Sequence, residues 1–172
     1  IFFLKTYYKK QNVVFIDTKP KEDSKGDFTN ITQNIEFTTI SKKGHKYYLY
    51  AETGETDFDN PDVIFLTNVK ATIQGSDDLL VVINSDFGKY NSKNHDTIFS
   101  KNVVVKETVN KINSDYLDLS LENNLATMSG NIIFKNLTTN MKADKVNFNL
   151  ENKETIMFMN NDSEKITVSK NY

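Results

Sequence analysis

A repeat constrains this chain more than any other feature. Ile83-Asn84-Ser85-Asp86 returns as Ile112-Asn113-Ser114-Asp115 and, more loosely, as Met141-Lys142-Ala143-Asp144. The three aspartates are evenly spaced along the chain. A second column keeps the same register: Asn68-Val69, Asn102-Val103, Asn131-Ile132 and Asn160. Its last two steps equal the aspartate step, and its first is longer. Leu49-Tyr50-Ala51-Glu52 adds an earlier member of the acidic column, separated from Asp86 by that same longer step. The two columns share one insertion and otherwise one period. A unit of roughly 30 residues with two strand signals predicts a repeating β-hairpin, stacked into an elongated antiparallel sheet that folds over on itself.

The alternation of side chains gives that sheet two unlike faces. After each aspartate, the second position holds Gly88, Leu117 and Val146, the fourth Tyr90, Leu119 and Phe148, and the sixth Ser92, Leu121 and Leu150. These offsets share one face of a strand. Between them stand Tyr116, Asp118, Ser120 and Glu122, or Lys145, Asn147, Asn149 and Glu151. The asparagine column adds Val69 and Ala71, Val103 and Val105, and Ile132 and Phe134. The expected product is a continuous apolar interior of stacked equivalent residues. No window of helical length carries a 3.6-residue stripe, so the fold class is all-β.

The ends of the chain differ from this pattern. Ile1-Phe2-Phe3-Leu4, followed by Lys5, Tyr7, Tyr8, Lys9 and Lys10, has the look of the interfacial end of a membrane span. Residues 1–16 are accordingly expected to end an N-terminal anchor. Residues 17–30 are polar and read as a linker, and residues 31–172 form the domain. Ile31, Gln33, Ile35 and Phe37 alternate with polar residues, as a half-buried strand requires. Ile166 and Val168 do the same near the C-terminus and predict a final edge strand. An unpaired edge is open to extension by another chain.

Composition narrows the chemistry. All 21 basic residues are lysine, set against 23 acids, for a net charge of −2. Without arginine, and with the lysines spread along the chain and balanced by acids, nucleic-acid binding is not expected. With no cysteine, disulfides, thiol catalysis and cysteine-bound zinc are excluded. The two histidines, His45 and His95, lie in turn-like sequence and read as solvated loop residues. Asp57-Phe58-Asp59-Asn60-Pro61-Asp62 misses calcium-loop spacing and reads as a turn. The repeated aspartates read as strand starts bonding local backbone rather than as a cation row. No nucleophile or acid–base set converges, so neither an enzyme nor a cofactor or metal site is expected.

The order and spacing of Ser41-Lys42-Lys43-Gly44-His45-Lys46-Tyr47-Tyr48-Leu49-Tyr50-Ala51-Glu52, Phe65-Leu66-Thr67-Asn68-Val69-Lys70-Ala71 and the later Ser-Asp and Ala-Asp-Lys-Val units resemble the LptC family of lipopolysaccharide transport proteins. That family belongs to the wider LptC/LptA/OstA-like β-jellyroll group. The resemblance spans roughly residues 31–172 and implies a folded-over β-jellyroll in the periplasm, held by a single-pass anchor in the bacterial inner membrane. It implies that the domain takes lipopolysaccharide from an inner-membrane ABC transporter (LptB/LptF/LptG-like) and passes it to an LptA-like bridge protein. The lipid-binding groove would then be Val69, Ala71, Val103, Val105, Leu117, Leu119, Leu121, Ile132, Phe134, Val146, Phe148 and Leu150. The partner edges would lie at Ile31, Ile35 and Phe37 and at Ile166 and Val168. Two other readings stay open: a soluble LptA-like bridge protein, and a structural β-repeat whose apolar face is a closed core.

Overall fold

The computed structural model describes residues 31–41, 44–75, 80–152, 154–159 and 167–170. It holds ten strands: β1 (Ile31–Ile40), β2 (Lys46–Thr56), β3 (Val63–Gln74), β4 (Leu80–Asn91), β5 (Thr97–Glu107), β6 (Asn110–Ser120), β7 (Leu125–Lys135), β8 (Thr139–Asn149), β9 (Thr155–Phe158) and β10 (Thr167–Lys170). They form one antiparallel sheet in the order β1 to β8 and then β10. The short β9 and β10 share the outer edge of β8. Thr155–Phe158 pairs with Lys145–Phe148, and Thr167–Lys170 with Thr139–Lys142. The chain is all-β, as the period-two pattern predicts. No helix among the described residues is long and apolar enough to cross a membrane. Ile166 and the expected anchor and linker, residues 1–30, lie outside the described residues.

Each strand from β2 to β8 departs from strict alternation near its middle. Inward-facing Ala51 is followed by Gly54 in β2, Ser85 by Gly88 in β4, Ser114 by Leu117 in β6 and Ala143 by Val146 in β8. Each of these steps is one position longer than a regular strand takes. In β5 and β7 the steps from Phe99 to Val103 and from Met128 to Ile132 are longer still. Register shifts mark the same places from β4 to β8. Extra residues of this kind are β-bulges, which bend the sheet and sharpen its twist.

The two repeated columns build these bulges. Asn34, Asn68, Asn102 and Asn131 have φ of 53°, 52°, 52° and 49°, a left-handed conformation that asparagine tolerates better than most residues. Three of their side-chain amides reach the acids on the preceding strand. Asn68 Nδ2 donates to Glu52, Asn102 Nδ2 to Asp86 at 2.7 Å and Asn131 Nδ2 to Asp115 at 2.7 Å. The Ser85 and Ser114 hydroxyls span the bulge and donate to the carbonyls of Phe87 and Tyr116, at 2.8 and 3.0 Å. The aspartates therefore do not start strands. They sit mid-strand in a seam that crosses the sheet, with amides between the carboxylates, so that like charges do not face one another.

The seam folds the sheet. Tyr47 in β2 meets Thr97 in β5, hydroxyl to hydroxyl at 3.0 Å. Phe37 in β1 stacks on Tyr90 in β4 with ring centroids 4.3 Å apart. Neither pair lies on neighbouring strands. The half of each strand on one side of the seam therefore faces the half on the other side across one apolar interior.

Gly130, with φ +76°, borders the seam, and a Cβ there would stand 2.6 Å from Asp115 Oδ2 and 2.9 Å from its Cβ. Gly130→Ala is expected to cost about 1–3 kcal/mol, from a strained φ plus displacement of Asp115 from Asn131. Gly44→Ala has an equally positive φ but open space around it, so only the backbone cost of about 1–2 kcal/mol applies. Urea unfolding of the two variants checks the difference.

Candidate functional site

The interior has a filled end and a hollow end. Between β1 and β5, Tyr47, Tyr90, Phe99 and Thr97 are buried, and half-buried Phe37 packs on them. At the position that Tyr90 fills in β4, β6 carries the smaller Leu119. A cavity of about 660 Å³ remains, within the range of pockets that hold small organic ligands.

Both halves of the fold line it. Val105, Ile112, Ile132, Phe134 and Met141 come from one side of the seam, and Leu117, Leu119, Ala126, Met128, Val146, Phe148 and Met157 from the other. Leu121, Phe134, Phe148, Leu150 and Met157 are only half-buried, which marks where the hollow meets solvent. Polar groups gather at the lips: His45, Glu107, Asn110 and Lys142 along one, Asn124, Glu151 and Thr155 along the other. Among the described residues no three His, Asp or Glu side chains are grouped to hold a metal ion.

Nine of the twelve residues expected in the groove border this cavity: Val105, Leu117, Leu119, Leu121, Ile132, Phe134, Val146, Phe148 and Leu150. Val69, Ala71 and Val103 do not. They are 3%, 0% and 0% exposed in the core. The alternation also implies lining residues that a reading outward from the two columns passes over. Ile83, Ile112 and Met141 open the repeated quartets themselves, and Ala126 and Met128 alternate within β7. Of the expected edge residues, Ile31 is exposed, while Ile35 and Phe37 are half-buried. Val168 lies in β10, where its backbone pairs with Met141.

His95 is not a freely solvated loop residue. It has φ 64° and holds Nδ1 2.7 Å from the Tyr90 hydroxyl. With the ring neutral and its proton on Nε2, Nδ1 accepts from that hydroxyl. Burial lowers the His95 pKa, against a smaller raising effect of Asp96. Burial also pushes Tyr90 up to about 12, against a hydrogen bond to Thr39, and raises Tyr47 as well. The signs set a stability window. The His95 contribution is present above the ordinary histidine pKa of about 6.5 and is lost as pH falls below it. The tyrosine contributions are present below about 10 and are lost as pH rises toward 12. Thermal unfolding against pH is expected to show both declines, and His95→Gln is expected to flatten the acid one alone.

A row of bulges folds a sheet around an apolar hollow, closed at the β1 end and open toward β8. No curated protein matches the chain. The family model "Lipopolysaccharide-assembly, LptC-related" matches residues 1–161, and the chain belongs to that family.

Proposed function

We propose that this domain carries the acyl chains of lipopolysaccharide in the hollow between the two halves of its sheet. It receives the lipid from the inner-membrane ABC transporter and hands it to an LptA-like bridge protein, with the domain in the periplasm and residues 1–16 ending its membrane anchor. The observation that carries this reading is the cavity of about 660 Å³, lined from both sides of the seam by aliphatic and aromatic side chains. A structural β-repeat with a closed core has no use for such a space. Each methylene moved from water into it contributes about 0.8 kcal/mol. Equivalent positions on successive strands, such as Leu117 and Val146, present similar surface along the axis, so a chain can slide without leaving apolar contact. Among the described residues the outer edges of β1 and of β9 and β10 pair with no further strand, and they would receive the strands of partner domains.

The test is displacement of a fluorescent fatty acid from the purified protein. Lipopolysaccharide is expected to displace it, and the fully deacylated saccharide is not. Displacement by neither, with the probe bound, would reject acyl-chain recognition.

A further inference from the structure

The two rims of the folded sheet are chemically opposite. On one rim the hairpin tips carry exposed aliphatic side chains. Val109, in the β5–β6 turn, is 54% exposed, and Leu137, in the β7–β8 turn, is 77% exposed. Directly behind these tips, Lys106, Lys111 and Lys135 stand opposite one another on β5, β6 and β7. All three are exposed. None forms an ion pair among the described residues. Adjacent like charges on a sheet are destabilising, so the fold gains nothing from this row. The nearby acid, Glu107, is half-buried and accepts from Asn110 Nδ2 at 2.9 Å. On the other rim the loops hold Asp57, Asp59, Asp62, Glu122, Glu151 and Glu154 against the exposed Lys93, with Phe58 as an exposed apolar residue.

Apolar tips backed by a lysine band match a bilayer surface with anionic headgroups. The tips reach the boundary between headgroups and acyl chains, and the lysines meet the negative surface potential, each contributing to binding within a Debye length. We infer that the rim formed by the β5–β6 and β7–β8 hairpins is a membrane-docking edge for anionic phospholipid, separate from any N-terminal anchor. The acidic rim is repelled by the same surface and points away, so docking fixes which lip of the hollow faces the bilayer. This inference does not depend on what the hollow carries.

The chain has no cysteine, so one introduced thiol takes one label. Leu137→Cys and Phe58→Cys, each in the full chain, are labelled with a polarity-sensitive fluorophore. They are then mixed with phosphatidylcholine vesicles with or without phosphatidylglycerol. Any binding through residues 1–30 is common to both, so the difference between labels reports the rim. The label at position 137 is expected to shift to the blue and brighten severalfold on anionic vesicles only, while the label at position 58 stays unchanged. Replacing Lys106, Lys111 and Lys135 together by glutamine is expected to abolish that response. Exposed positions are changed throughout, and circular dichroism checks the fold. Equal responses at both rims, no response at 137 with the chain vesicle-bound, or a response indifferent to the lysines would overturn the inference. So would a response at 137 to lipopolysaccharide alone and not to vesicles, which would assign the rim to the hollow.

Discussion

Phe99→Ala is expected to cost about 3–5 kcal/mol, as ring deletions in packed cores do. Phe148→Ala removes the same ring from the same interior and is expected to cost only about 1 kcal/mol, a fraction of full side-chain burial. Phe99 is 0% exposed at the filled end. Its loss leaves a void that neighbours on both halves cannot close, which adds a cavity cost to the lost transfer energy. Phe148 is half-buried and borders a space that is already empty, so only part of its burial energy is at stake. Urea unfolding of the two variants measures the ratio directly. A uniformly packed interior would give similar losses at both sites.

Ala126→Phe is expected to leave stability unchanged or raise it by about 0.5–2 kcal/mol while sharply reducing lipid binding. Ala126 faces the cavity from β7, in register with Leu119 and Phe148. In a packed core, a ring in place of a methyl would cost about 1–3 kcal/mol through overpacking. Here it enters free space, as cavity-filling substitutions do. The ring excludes roughly three or four methylenes of a bound chain. At about 0.8 kcal/mol each, affinity falls by roughly a hundredfold. Fatty-acid displacement and thermal unfolding on one preparation give both numbers. Unfolding of the variant at lower temperature with unchanged binding would place the lipid elsewhere.

The repeat made most of the fold legible before any coordinates. The aspartate and asparagine columns fixed the period, and alternation from each column separated the inner from the outer face. The meaning of the columns was hidden. Reading outward from Asp115 gives a correct inner face in either direction, but the two faces are out of phase by one residue. The simplest interpretation of a phase change is a strand boundary. The structure resolves it as a bulge inside one continuous strand, held by a side-chain bond between residues 16 apart in sequence, such as Asp115 and Asn131. Asn34, with its left-handed φ and a bond from the Tyr50 hydroxyl, continues the row and was missed because its segment lacks the apolar neighbours of the later units. The division of the interior into filled and hollow ends was also illegible. It depends on which side chains meet across the fold, such as Phe37 with Tyr90 and Tyr47 with Thr97, and these pairs are far apart along the chain. Val69, Ala71 and Val103 therefore looked equivalent to Ile132 and Phe134 in sequence and are not equivalent in space.

The central claim is that the hollow end of the sheet is a lipid path. Its most direct test is a photo-crosslinking side chain at Phe148, inside the hollow, compared with one at Asp118, exposed on the outer face of β6. Both are illuminated in cells with the transport machinery active. The account predicts a lipopolysaccharide adduct at position 148 and none at 118. Adducts at neither position, in a folded protein, or equal adducts at both, would contradict it.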